Sequence, residues 1–254
     1  MFIRFVTFKS MPEKVEHLRE FFNKEVYAAL QQTPGCLFAA LVESTTDAGE
    51  FSALTLWETA DAIKAYEDSG RPAAFSEKAR SLFLAESDEW QLQLSDDLTL
   101  EYKPVIEAPE ASAYRVFAVM DEAALRQNRA ADMHLRLVRV RASEAGLEGF
   151  KLHYVETAIP ALRQVQGCRN AFLVGNVEAQ HQLISVTIWD SAEDAEAYDR
   201  SPLFQSMLTN TRDLMSAHVW QTTLQSTLAS KVYTSDKIKV ETYAAVTGQS
   251  FQAG

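Results

Sequence analysis

The chain has 254 residues, 47% of them hydrophobic and 10% aromatic, which is material for one large core or two of ordinary size. Acidic residues outnumber basic ones 35 to 24, the net charge is -11, and no stripe of Lys and Arg could neutralise phosphates, so nucleic acid is excluded as a partner. Two cysteines, Cys36 and Cys168, are too few for a disulfide framework and lack Cys or His neighbours for a metal, so no metal site is expected.

The opening run Met1-Phe2-Ile3-Arg4-Phe5-Val6 alternates as a strand does, with no leader pattern. No apolar stretch approaches the roughly 18 residues of a membrane span, so the expectation is a cytoplasmic protein with no membrane partner. Over residues 2–9 Arg4, Val6 and Phe8 share one face while Ile3 and Phe5 share the other. Both faces are largely apolar, which predicts a sheet covered on both sides. An amphipathic helix follows, with Val15, Leu18, Phe22, Val26, Ala29 and Leu30 on one face, Ser10 and Glu13 spaced as a capping box, and Thr33-Pro34-Gly35 as its stop. Cys36 to Glu43 and Phe51 to Trp57 read as a hairpin, and Thr59 starts a second helix that breaks at Ser69-Gly70-Arg71-Pro72. A late strand is expected around Leu98 to Val105, an additional one over Tyr114 to Met120, and a short helix over 121–131.

From residue 133 the pattern starts again. Shifting the sequence by 132 positions lays residues 1–83 on 133–215 without a gap, with 20 of the 83 pairs identical, among them Gly35-Cys36 on Gly167-Cys168, Trp57 on Trp189 and Tyr66 on Tyr198. The hydrophobic periods recur in the same register, so duplication is the better explanation. The second copy has a strand over 134–141, a helix carrying Leu147, Phe150, Tyr154 and Leu162, a hairpin of Cys168 to Val174 with Leu183 to Trp189, a helix from Ser191 broken at Ser201-Pro202, and a late strand from Ile238 to Val246. Each copy is a βαββαβ, ferredoxin-like unit: 1–110 is the first, 111–132 a linker with an extra strand and a short helix, and 133–254 the second.

Pro34-Gly35-Cys36-Leu37, the run Val186-Thr187-Ile188-Trp189-Asp190-Ser191, and Tyr198-Asp199-Arg200-Ser201-Pro202-Leu203-Phe204 resemble the characteristic segments of the antibiotic biosynthesis monooxygenases, with Thr55-Leu56-Trp57-Glu58-Thr59 a looser match. The resemblance spans roughly 1–105 and 133–246. It implies an α+β fold in which two ferredoxin-like units pack sheet against sheet as an intramolecular dimeric α+β barrel, with late strands that could exchange. A further homo-oligomer is left open. It also implies chemistry without metal or flavin, in which an electron-rich aromatic or quinol-like substrate itself reduces dioxygen in an apolar barrel cavity.

Candidate walls for that cavity occur twice: Trp57, Tyr66, Arg4 and Thr55 in the first copy, and Trp189, Tyr198, Arg136 and Thr187 in the second. Arg4 and Arg136, mid-strand, need an anionic partner, either a phenolate or a carboxylate across the internal interface. Ordinary packing of strand on helix is the competing account of the Trp and Tyr pairs. The second copy, closer to the family pattern, is taken as the active one. His153 and Glu156, three apart on a helix, lack a second pair to complete a metal site. No glycine loop of a nucleotide-binding type is present, so no cofactor is expected. The haem-degrading members of the family would require residues that are replaced here by Tyr66 and Ser76 or Tyr198 and Leu208; haem held in another way stays open. No general base is evident, which keeps a second reading alive: a non-enzymatic hydrophobic-ligand-binding or stress-response barrel.

Overall fold

The computed structural model describes residues 1–83, 90–94, 100–104, 109–123, 133–215, 234–235 and 238–251. The strands are β1 (Phe2–Lys9), β2 (Cys36–Ser44), β3 (Glu50–Trp57), β4 (Trp90–Leu94), β5 (Leu100–Pro104), β6 (Glu110–Val119), β7 (His134–Arg141), β8 (Cys168–Asn176), β9 (Gln182–Trp189), β10 (Thr234–Ser235) and β11 (Ile238–Ser250). The first long helix of each unit runs as α1 (Val15–Phe21), a π-helical turn (Phe22–Val26) and α2 (Tyr27–Gln31), and again as α5 (Leu147–His153), a π-helical turn (Tyr154–Ala158) and α6 (Ile159–Leu162). The second is α3 (Ala60–Asp68) then α4 (Arg71–Ala79), and α7 (Ala192–Asp199) then α8 (Pro202–Asn210).

Eight antiparallel strands close into a barrel in the order β11-β2-β3-β1-β6-β8-β9-β7, with β7 returning to β11 and β10 adding a short fringe on β11. Each unit contributes four strands in the ferredoxin-like order, β6-β1-β3-β2 and β11-β7-β9-β8, so the chain carries its pseudo-dimer internally. The register repeats with the duplication. Arg4 lies opposite Thr55 and Arg136 opposite Thr187, and the bulge after Cys36 recurs after Cys168. Both bulges follow a glycine in left-handed conformation, Gly35 at φ 80° and Gly167 at φ 78°, which ends the preceding helix without a Cβ clash.

Three sequence expectations are corrected. The strand that completes the first unit is β6, within the segment read as linker, whereas Leu100–Pro104 pairs with Trp90–Leu94 as a separate two-stranded sheet. Both segments alternate, and only pairing with β1 distinguishes them. Late strands are shared rather than exchanged: β6 joins β1 of its own unit to β8 of the other, and β11 joins β7 to β2. The capping box does not form: Met11 takes the N-cap position with no side-chain cap bond, and the Ser10 hydroxyl donates to the Leu82 carbonyl at 2.6 Å. The short helix expected over 121–131 falls mostly outside the described residues.

Alternation on the strands sends one set of side chains into the barrel and the other outward. Ile3, Phe5, Leu54, Leu56, Leu135, Leu137, Ile184 and Val186 fill the interior as one apolar cluster. On the outer faces, Phe8, Trp57 and Tyr66 pack with Leu18, Phe22 and Leu30, and Val140, Trp189 and Tyr198 pack with Phe150, Tyr154 and Leu162. The doubly apolar sheet is thus explained by helices on one side and the partner sheet on the other. No described helix is long and apolar enough to cross a membrane.

Candidate functional site

Arg4 and Arg136 stand on the outward faces of β1 and β7, under the second helix of each unit. There Nε of Arg4 meets the Glu67 carboxylate at 2.9 Å, and Arg136 pairs with Asp199. Glu67 and Asp199 are themselves 132 positions apart, each one residue beyond the tyrosine. The carboxylate expected across the internal interface is therefore supplied within each unit, by the helix that packs on the strand. The alignment of an acid with an acid at this position was the available signal.

The tryptophans serve as the floor beneath this group. Trp57 and Trp189 are fully buried, and each indole Nε1 donates to the nearby threonine hydroxyl at 2.8 Å, Thr55 and Thr187 respectively. Their rings lie against Tyr66 and Tyr198 at centroid separations of 5.1 and 5.2 Å. Each threonine hydroxyl accepts that indole bond and donates its own proton to the carbonyl of Arg4 or Arg136, at 3.4 and 3.3 Å, so the indole N–H and the hydroxyl both have partners within the protein.

Above this floor each unit has a cavity between the sheet and its helices, not inside the barrel, whose interior is packed. The first measures 230 Å³ and the second 70 Å³. Every residue lining the second has its counterpart, 132 positions earlier, lining the first. Arg4, Thr55 and Tyr66 line the first and Arg136, Thr187 and Tyr198 the second, while Trp57 and Trp189 line neither. The π-helical turn of each unit borders its cavity through Phe22 and Val26 or Tyr154 and Ala158. Such turns widen a helix by one residue and recur at binding sites.

The size difference has named causes. Pro72 and Ser76 of the first cavity are replaced by Phe204 and Leu208 in the second. The first-copy cavity exceeds the ~150 Å³ that admits benzene, and the second falls well short of it. The second copy, expected to be the active one from its closer match to the family pattern, thus has the smaller cavity.

Burial pushes the Tyr66 hydroxyl up to about 12, against the opposing pull of Arg4, so it stays protonated as a donor at neutral pH. Among the described residues neither that hydroxyl nor the terminal N–H groups of Arg4 have a hydrogen-bond partner, and no Asp, Glu or His lines the first cavity. In the second, Tyr198 donates to the Met207 sulfur at 3.3 Å, and His153 stands where the first copy has Phe21. Burial lowers the His153 pKa and leaves its Nε2 buried without a partner. Cys36 and Cys168 are pushed up to about 12 by burial, which makes them inert packing groups. Among the described residues no group of three or more His, Cys, Asp or Glu could hold a metal. A third depression of 390 Å³ between the units is bordered by Arg115, Phe117 and Lys151, and its Lys151 is committed to Glu148 at 2.7 Å.

The sequence model of the family described as antibiotic biosynthesis monooxygenase matches residues 1–78 and 133–209, together more than half of the chain. The chain belongs to the antibiotic biosynthesis monooxygenase family. It is a tandem member, with one family unit in each half of the barrel. None of the curated proteins matches it in sequence. Solved structures of similar fold include a candidate monooxygenase from Lactobacillus acidophilus NCFM, with TM-score 0.63, 9% identity, and 98% of this chain covered against 96% of that one. A candidate monooxygenase from Fusobacterium nucleatum subsp. nucleatum superimposes with TM-score 0.65 at 8% identity, covering 98% and 94%. An anthrone oxidase-like protein gives TM-score 0.58 at 16% identity, covering 100% of this chain and 93% of its own. At such identities the likeness is one of fold.

Proposed function

We propose that this tandem antibiotic biosynthesis monooxygenase oxidises a one- or two-ring phenol or quinol with dioxygen, without a bound cofactor, in the first-unit cavity. The observation that carries this reading is an apolar cavity of 230 Å³ into which one buried cation, Arg4, and one protonated hydroxyl, Tyr66, present unspent donors. Donors fixed in an apolar site favour the anion of a bound phenol over its neutral form, so substrate ionisation needs no dedicated base. The phenolate carries carbanion character at its ring carbons. Dioxygen bonds there, and the proton released on ionisation returns to the distal oxygen to give a hydroperoxide. Loss of hydroxide with the ring C–H proton, as water, leaves a carbonyl. One oxygen atom ends in the quinone and one in water, and all four electrons come from the substrate. The volume favours one or two fused rings over three, and anthrones mark the upper limit of the substrate class.

Oxygen uptake by metal-free protein with a panel of naphthohydroquinones, hydroquinones and anthrones, against a no-protein control, tests the proposal. Arg4→Met is expected to lower kcat/KM by roughly 100-fold or more, and Tyr66→Phe by less, since each removes one donor to the developing oxyanion. No uptake across the panel, with ligands still bound, would give way to the binding-module reading.

A further inference from the structure

The second unit holds an aromatic ring of its own where the first has open space. Phe204 and Pro72 occupy the same position of the repeat, and both line their cavities. The Phe204 ring lies over the Arg136 guanidinium, 4.6 Å from its central carbon, and tilts against Tyr198 at a centroid separation of 5.3 Å and 53°. In the first unit the aromatic ring that Arg4 meets among the described residues is Tyr66, at 6.0 Å, and Pro72 lines the same cavity. The two volumes, 230 and 70 Å³, differ by about the ~150 Å³ that houses a benzene ring.

We infer that Phe204 marks, within the same chain, the pose of the first unit's ligand: an aromatic ring laid flat over the Arg4 guanidinium and tilted against Tyr66, with the second unit self-occupied. The inference rests on the aromatic-ligand reading above and adds three things: a stoichiometry of one, a stacking partner, and Pro72 and Phe204 as the residues that set which unit is open. Stacking over a guanidinium explains why the ligand should be aromatic rather than merely apolar, because the ring's negative face meets a partly desolvated cation.

The test is calorimetric titration of the full chain with 1-naphthol, alongside 2-decalol, a saturated alcohol of similar skeleton. Wild type is expected to bind one equivalent of 1-naphthol, Phe204→Ala two, Pro72→Phe none, and the double variant one. The saturated alcohol should bind wild type at least roughly fivefold more weakly. Wild type binding two equivalents or none, a folded Phe204→Ala still binding one, Pro72→Phe binding as wild type does, or equal affinity for the two alcohols would each overturn the inference. If Phe204→Ala does not fold, Pro72→Phe and the pair of alcohols decide it. Binding as expected without oxygen uptake would defeat only the oxygenase proposal, whereas uptake with unchanged stoichiometry would defeat only this one.

Discussion

Thr187 shows how one hydroxyl can look like a ligand contact and act as a structural pin. Its oxygen accepts the Trp189 indole N–H at 2.8 Å and donates to the Arg136 carbonyl at 3.3 Å, in a fully buried position. Thr187→Val keeps the shape and strands the indole donor, so stability should fall by about 1–3 kcal/mol in urea denaturation. An unchanged midpoint would return Thr187 to the list of ligand contacts. His153 makes a second prediction. Its folded pKa is depressed by burial, so as pH falls below ~6.5 the unfolded chain takes up the proton first and stability drops, levelling only once the folded ring also protonates. Arg136, paired with Asp199, and Tyr198 and Tyr154, both held protonated by burial, are the other ionisable groups that line the cavity with it. Replacing His153 with Phe, as at Phe21, should flatten stability against pH between 5 and 7 relative to wild type; parallel curves would contradict the assignment.

Helix and strand ends are where short sequence signals held and failed for identifiable reasons. Thr59 and Ser191 cap their helices as expected, accepting from the Ala62 and Asp194 amides at 3.1 Å. Ser10 has the same local chemistry, yet the N-cap position falls on Met11, and the Ser10 hydroxyl donates to the Leu82 carbonyl. Gly35 is a stronger constraint than any cap: besides its positive φ, an added Cβ would stand 2.8 Å from the Ala62 side chain. Gly35→Ala should therefore cost more than about 1 kcal/mol, and Gly70→Ala, where a Cβ meets nothing within 4 Å, should cost less. Equal losses in thermal denaturation would show that backbone conformation alone is at issue.

Across the whole molecule, stability depends on two seams, β6 with β8 and β11 with β2, and on the interior they enclose. Separating the units would expose Ile3, Phe5, Leu54, Leu56 and their partners, each worth about 1.5–3 kcal/mol when buried, together with two open strand edges. Fragments 1–123 and 124–254 should accordingly aggregate or self-associate when expressed alone and reassociate when co-expressed. Cutting at residue 110 instead severs β6 from β1 and should reassociate less well. Two independently stable monomers, seen by analytical ultracentrifugation, would refute the shared-barrel account.

Local periodicity carried a great deal. The alternation of β1 already separates Arg4, Val6 and Phe8 from Ile3 and Phe5, and the helical period of Leu18, Phe22, Val26 and Leu30 names the face that covers them. Because these patterns occur twice at a fixed offset, the duplicated βαββαβ unit and the recurrence of Arg, Thr, Trp and Tyr in both copies follow from the sequence alone, while the closed barrel is implied by the family resemblance. What it could not supply are properties of packing between distant segments: which late strand completes the first unit, which carboxylate meets each arginine, and how much space each cavity keeps. Those depend on volumes and registers that exist only once sheet and helices are in contact, so a proline at position 72 and a phenylalanine at 204 acquire their opposite meanings only in the folded chain.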